Sequence, residues 1–129
     1  MFLKKNTNNV DTKAVRKELA AMLDRCSMID AALAVTIDGH MIEKVESRSY
    51  PLKRIAAMGS SMMSLGDTMT AELQMGNYRN MIAENENGIL AMMHINAQYV
   101  LVTITHETKG LGMLLSASRI CAESLRAVL

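Results

Sequence analysis

The spacing of apolar residues in the first part of the chain predicts a helix followed by a hairpin. Apolar side chains recur every three to four residues between positions 11 and 26, which is typical of a helix buried on one face. An aspartate at the start of this range is suited to capping the helix. Positions 30–37 are mostly apolar and predict a strand, whereas positions 40–45 are more polar and predict an edge strand. Asp38 and Gly39 between them predict a tight turn.

A long helix and three further strands are predicted next. Positions 51–75 have helical periodicity, and Pro51 suits the first helical position, where its missing N–H is no loss. Gly76 is suited to ending this helix in a left-handed conformation. The remaining pattern predicts strands at 78–84, 89–95 and 98–105 and a final helix at 111–128.

The last two predicted strands are apolar on both faces. An antiparallel strand that is covered on one face only would alternate between apolar and polar residues. We therefore expect an α+β domain whose sheet has helices packed against both faces. Residues 1–10 are polar and Asn-rich, so we expect them to form a flexible lead-in to a single domain at 11–129.

The composition excludes several classes of function. The chain carries 14 basic and 13 acidic residues, a balance that argues against a dedicated nucleic-acid binder. One Phe, three Tyr and no Trp are too few for an RNA-binding sheet that stacks bases on aromatic rings. No run approaches the roughly 18–20 apolar residues of a membrane span, and no signal peptide is visible. We therefore expect a cytoplasmic protein without membrane insertion.

The order and lengths of the elements resemble the roadblock/dynein light chain family from about residue 11 onward. The hairpin sequence VTIDG at 35–39 is similar to the family's hairpin, and a long Ala-, Ser- and Met-rich helix follows a proline. A meander of three strands comes next, and GLGMLL at 110–115 opens the last helix. The resemblance implies a three-layer α/β/α fold with a five-stranded antiparallel sheet. The long helix would lie on one face and the two terminal helices on the other.

The resemblance also implies a function. Members of the family are dimers joined through the long helix and the third strand, and they serve as non-catalytic scaffolds or regulators of small Ras-like GTPases or of dynein motors. Bacterial MglB-like members regulate a Ras-like GTPase. We therefore expect a homodimer that acts on a small Ras-like GTPase. A structural homodimer without a GTPase and a small-ligand sensor remain alternatives from other classes.

Two stripes of residues on the long helix bear on the dimer. The larger apolar residues are expected on the sheet: Ile55, Met58, Met62, Leu65, Met69 and Leu73. Each glycine in a helix interior costs about 1 kcal/mol relative to alanine, so the glycines of the second stripe suggest that another backbone comes close. We expect the dimer interface to comprise this stripe and two residues near the third strand: Ala56, Gly59, Ser60, Met63, Gly66, Asp67, Thr70, Tyr78 and Met81. The alternative is that the glycines pack on the sheet of the same chain.

Other candidate sites are weak. Arg48, Lys53 and Arg54 lie near the start of the long helix and are candidate contacts for a partner. We expect no cofactor, no metal and no catalytic residue. A thiol nucleophile at Cys121 with a histidine as base is conceivable, but this cysteine falls on the apolar stripe of its helix.

Overall fold

The computed structural model describes residues 10–129, and its element order is the predicted one. Residues 1–9 of the predicted lead-in lie outside the described residues, and Val10 already packs against the core. The elements are α1 (Thr12–Arg25), β1 (Ala31–Thr36), β2 (Met41–Glu46), α2 (Leu52–Leu73), β3 (Met81–Asn85), β4 (Gly88–His94), β5 (Tyr99–Thr105) and α3 (Leu111–Arg126).

All five strands form one antiparallel sheet in the order β2-β1-β5-β4-β3. Every residue of β5 is buried, because this strand lies mid-sheet and is covered on both faces. The prediction that the last two strands are covered on both faces is therefore confirmed. Strand β2 is an edge strand, as its polar sequence predicted. The other edge is β3, and no strand of residues 10–129 pairs with its outer side.

Two separate cores lie on the two faces of the sheet. The core under α1 and α3 includes Val15, Leu19, Met22, Ala32, Ala34, Met93, Leu101, Leu114, Cys121 and Leu125. The core under α2 includes Leu33, Val35, Leu52, Ala56, Met63, Met92, Val100 and Val102. Successive strand residues alternate between these cores, as the pleat of a strand requires. The predicted three-layer α/β/α fold is confirmed, with the long helix alone on one face.

The ends of the helices are partly as predicted. Asp11 caps α1, since its carboxylate accepts a hydrogen bond from the Ala14 amide at 3.2 Å. Pro51 does not occupy the first helical position, because its ψ of 67° lies outside the helical region, and α2 begins at Leu52. At the other end the helix stops earlier than predicted, with Gln74 at φ of 53° in the left-handed position. Gly76 is also left-handed, with φ of 80°, but it lies two residues further on.

Strand β3 begins later than predicted. Tyr78 was expected on this strand, but it lies in the connection from α2, where its hydroxyl donates a hydrogen bond to the Met63 carbonyl at 2.9 Å. Burial, with a smaller contribution from the charge of Asp67, raises the pKa of Tyr78 to about 12, so the hydroxyl keeps its proton at neutral pH. The tyrosine thus fastens the connection to α2, and pairing with β4 starts only at Met81.

One buried carboxylate joins three parts of the fold. Asp30, just before β1, is 4% exposed and accepts hydrogen bonds from the His106 amide at 2.7 Å, from His106 Nδ1 at 2.7 Å and from the Tyr50 hydroxyl at 3.1 Å. Burial acts to raise the pKa of Asp30, but the hydrogen bonds from His106 and Tyr50 outweigh it and hold the pKa below its ordinary value. The start of β1, the end of β5 and the segment before α2 are linked through this group.

The free energy of unfolding should therefore decrease at acidic pH, because Asp30 becomes protonated. A carboxylate with a lowered pKa stabilises the folded state above its ordinary pKa, and that contribution is lost as the pH falls through the folded-state value. In Asp30→Asn, we expect the free energy of unfolding at neutral pH to drop by about 1–3 kcal/mol. The decrease in the free energy of unfolding between neutral pH and about pH 3 should be smaller in Asp30→Asn than in the parent chain. Urea unfolding followed by circular dichroism measures both, with Asp24→Asn, an exposed position, as control. Equal acid losses in Asp30→Asn and the parent chain would contradict the assignment.

Candidate interaction surface

Helix α2 exposes a continuous stripe of large apolar side chains, here called the outer stripe. These residues recur every three or four positions and therefore share one face of the helix. Each of them is between 47% and 60% exposed: Met58, Met62, Leu65, Met69 and Leu73. Soluble monomers rarely expose an apolar patch of this length, and such patches mark interaction surfaces.

The prediction that the stripe lies on the sheet holds only for Ile55, which is partly buried and packs against the core under α2. It is wrong for the five residues of the outer stripe. Helix α2 instead turns the second stripe toward the sheet, where Ala56, Gly59, Met63 and Gly66 are buried. A Cβ atom at Gly59 would lie 3.1 Å from Met92 Sδ, and one at Gly66 would lie 2.5 Å from the terminal methyl of Met81. Side chains of the sheet fill the space that larger helix residues would need. The alternative interpretation of the glycines, close packing within the chain, is therefore the correct one.

The remaining residues of the predicted interface also make contacts within the chain. The Ser60 hydroxyl donates to the Ile37 carbonyl at 2.5 Å, and the Thr70 hydroxyl donates to the Gly66 carbonyl at 3.0 Å. Asp67 is exposed, and its carboxylate lies 3.6 Å from His94 Nε2. Half-buried Tyr78 and Met81 pack against the core under α2. The predicted residues do come together around α2 and β3, but most of them face inward.

The outer stripe lies on the side of α2 that faces the open edge of the sheet. A helix turns by about 100° per residue, so Ser60 points away from the centre of the stripe. Ser60 contacts the β1–β2 hairpin through Ile37, whereas Gly66 faces Met81 of β3. The side of α2 that carries Ser60 therefore faces the β1–β2 hairpin, and the side that carries the outer stripe faces β3. An apolar helix face and an unpaired strand edge point in the same direction.

Strand β3 has the features of an edge that can pair further. It is five residues long, contains no proline and carries an exposed Ile82. Edge strands that stay unpaired are usually blocked by proline, by inward-pointing charges or by a bulge. Its only charged residue is Glu84, and its pairing with β4 runs from Met81 to Asn85 without a shift in register.

The three basic residues near the start of α2 are all exposed. Arg54 lies one turn before Met58 and continues the outer stripe with a positive charge. Lys53 points to the other side, where it lines a shallow depression together with Gly39, His40 and Met41. Arg48 lies in the loop before the helix. Arg54 is thus the predicted partner contact best placed beside the stripe.

The chemistry of a catalytic thiol is not supported. Cys121 is fully buried, and burial raises its pKa to about 12, so the thiol stays protonated at neutral pH. Residues 10–129 contain no group of three or more His, Cys, Asp or Glu side chains arranged to hold a metal ion. Within the same residues, no helix is both long and apolar enough to cross a membrane.

The inward packing of the glycines predicts the effect of enlarging one of them. Leucine at Gly66 would press on Met81 and Tyr78, so Gly66→Leu should lower the free energy of unfolding by about 1–3 kcal/mol. Ser64→Leu, at an exposed position on the far side of the same helix, should change it by less than about 0.5 kcal/mol. Urea unfolding measures both. Equal stability of the two variants would contradict the inward packing of Gly66.

Comparisons with known proteins show similarity of fold at low sequence identity. No protein-family model and no curated protein matches the sequence. Among solved structures, MglB of Myxococcus xanthus superposes with a TM-score of 0.84 at 13% identity, covering 92% of this chain and 89% of that one. A structure of MglB with tetrameric arrangement gives 0.82 at 20% identity, with coverages of 90% and 87%. A roadblock/LC7 domain from Streptomyces avermitilis gives 0.79 at 16% identity, with coverages of 87% and 94%.

A weaker structural similarity extends to a protein of a different kind, a profilin. Profilin II of Acanthamoeba castellanii superposes with a TM-score of 0.63 at 11% identity, covering 87% of this chain and 96% of that one. A shared fold therefore does not by itself carry a function. The higher scores for MglB and roadblock/LC7 structures confirm the resemblance predicted from the sequence as one of fold: the chain folds as a roadblock domain does.

Proposed function

We propose that the chain is a non-catalytic, self-associating interaction module that regulates or scaffolds a small Ras-like GTPase. The observation that carries the proposal is the outer stripe of α2 lying beside the open edge of β3. A second copy of the chain would bury the outer stripe and pair with the edge of β3 in a single interface. We propose that the self-associated module is cytoplasmic, in the same compartment as a Ras-like GTPase.

A symmetric pair would cover both features at once. In a two-fold contact the same patch meets itself, so β3 would pair antiparallel with β3 of the second copy. The two α2 helices would then lie side by side with their outer stripes in contact. Met81 and the buried glycines support this surface from beneath rather than forming it. The tetrameric arrangement of one MglB structure is consistent with self-association on this fold.

The energies favour a contact that uses the helix and the strand together. Fully burying a large apolar side chain contributes about 1.5–3 kcal/mol. The five residues of the outer stripe are about half exposed, so two copies would gain roughly 10 kcal/mol. Association costs about 4–15 kcal/mol in lost freedom. The stripe alone is therefore marginal, and hydrogen bonds between the two β3 edges would add to it.

The GTPase partner rests on the resemblance and on the charge beside the stripe. Paired α2 helices would present a broad surface rich in methionine, a residue that adapts to different partners. Arg54 on the stripe side and Arg48 in the loop before α2 would give the end of this surface a positive charge. We assign neither the role of a catalytic arginine. If hydrolysis of GTP is stimulated, we expect the module to act by repositioning the GTPase's own residues.

Self-association through the outer stripe is tested by adding charge to it. The parent chain should have at least twice its 14.2 kDa chain mass in solution. The double variant Leu65→Glu with Met69→Glu should be monomeric, because four buried carboxylates in a symmetric contact would cost several kcal/mol. Size-exclusion chromatography with light scattering measures the masses.

The matched control places the same charges on another exposed apolar pair. Met113→Glu with Ile120→Glu alters α3, where both residues are exposed, and should leave the mass of the parent chain unchanged. A monomeric parent chain, or a stripe variant with the parent's mass, would contradict the proposed interface.

Binding to a GTPase is tested by capture of a Ras-like GTPase from the same genome. We expect capture to differ between the GTP-like and GDP-bound forms, because regulators of such proteins contact their nucleotide-sensitive segments. Arg48→Glu with Arg54→Glu should weaken capture about tenfold without changing the mass of the module. Lys13→Glu with Lys17→Glu, on the exposed side of α1, is the control of equal charge. Equal capture of both nucleotide forms, or none, would count against a GTPase regulator.

A further inference from the structure

A second surface feature is a cavity beside α3, and none of its lining residues belongs to α2. The connection at 77–80, strand β4 and helix α3 border a half-open cavity of about 380 Å³. Its charged lining residues are Arg79, Arg119, Glu123 and Arg126. Tyr78 and His94 also line it, and their side chains contact Met63 and Asp67 of α2. Met93, which also lines the cavity, belongs to the core under α1 and α3. The Met93 side of the cavity therefore lies on the face of the sheet that α3 covers.

The lining concentrates positive charge. Three arginines and a single carboxylate, Glu123, line the cavity, although the whole chain has a net charge of only +1. Like charges within one small cavity repel each other, and an anion bound among them would remove that repulsion. The excess of positive charge is therefore local, since the net charge of the chain as a whole is close to zero.

The arginines of the cavity are not used for ion pairs. Within residues 10–129, none of Arg79, Arg119 and Arg126 has a nitrogen within 4.0 Å of a carboxylate oxygen. Arg119 and Glu123 are four residues apart on α3, a spacing at which helical ion pairs form readily, yet they do not pair. The guanidinium groups are left with donors for another partner.

One of the three arginines is held in a fixed orientation. Arg126 Nε donates a hydrogen bond to the Ile95 carbonyl at 2.6 Å, at the end of β4. This bond uses one of the five N–H donors of the guanidinium and leaves four for a ligand. A guanidinium positioned in advance loses less freedom on binding than one that must be ordered.

We propose that this cavity binds a small polyanion through its phosphate or carboxylate oxygens. Guanidinium groups recognise both kinds of oxyanion by paired hydrogen bonds, and several arginines favour a ligand with more than one anionic group. The amides of Asn77 and Asn80 add neutral donors at the same cavity. A volume of about 380 Å³ lies near the lower end of the range for small-molecule sites, so the ligand is small. The proposal does not depend on self-association or on a GTPase.

The test titrates the full chain with pyrophosphate and, separately, with citrate at low ionic strength, using isothermal calorimetry. Saturable binding of one ligand per chain is expected for at least one of the two anions. Tighter binding of pyrophosphate would assign the site to phosphate groups, and tighter binding of citrate to carboxylates. Each of these results supports the proposal.

Variants separate the cavity from general attraction to a charged surface. Arg79→Gln with Arg119→Gln removes two exposed guanidiniums and should weaken binding about tenfold or more. Lys53→Gln with Arg54→Gln removes the same charge at α2 and should change binding by less than about twofold. Thermal unfolding of each variant confirms that it is folded. Absence of binding at millimolar anion, or equal weakening by both pairs of substitutions, would overturn the proposal.

Discussion

The close approach of α2 to its own sheet determines the rest of the molecule. Gly59 and Gly66 leave no room for a Cβ without displacing Met92, Met81 or Tyr78, so the helix backbone lies directly on the side chains of β3 and β4. This contact fixes the rotation of the helix about its axis. Once the small residues face the sheet, the methionines and leucines of the outer stripe must point away from it. A structural requirement within one chain thereby leaves a long apolar face of the helix exposed.

The same contact explains why the two features of that surface lie together. Helix α2 is fastened on one side to the β1–β2 hairpin by Ser60 and on the other to the connection before β3 by Tyr78. The stripe is left facing the side of β3, whose outer edge no strand of the described residues covers. We interpret the pair as one interface for self-association. Its methionine-rich composition also suits contact with a further partner, and the arginine-lined cavity lies beside α3, with no lining residue from α2.

The sequence predicted most of the fold but misplaced the faces of α2. Periodicity located the helices and strands, and residues that are apolar on both sides of β5 correctly indicated two covered faces. Those signals are local in sequence. The rotation of α2 depends instead on contacts of its glycines with Tyr78, Met81 and Met92, which lie beyond the end of the helix in the sequence. The usual rule that the most apolar stripe of a helix packs against its own chain does not hold for α2. The cavity escaped prediction for the same reason, because Arg79 meets Arg119 and Arg126 only through packing.

Amide hydrogen exchange at β3 tests the central claim most directly, because it reports on the strand edge without altering any residue. The amides of residues 81–85 that do not bond to β4 should exchange slowly in concentrated protein, where a second copy covers them. On dilution they should exchange faster as the copies separate, whereas the amides of β5 should stay protected at every concentration. Fast exchange of the outward β3 amides at all concentrations would contradict the account.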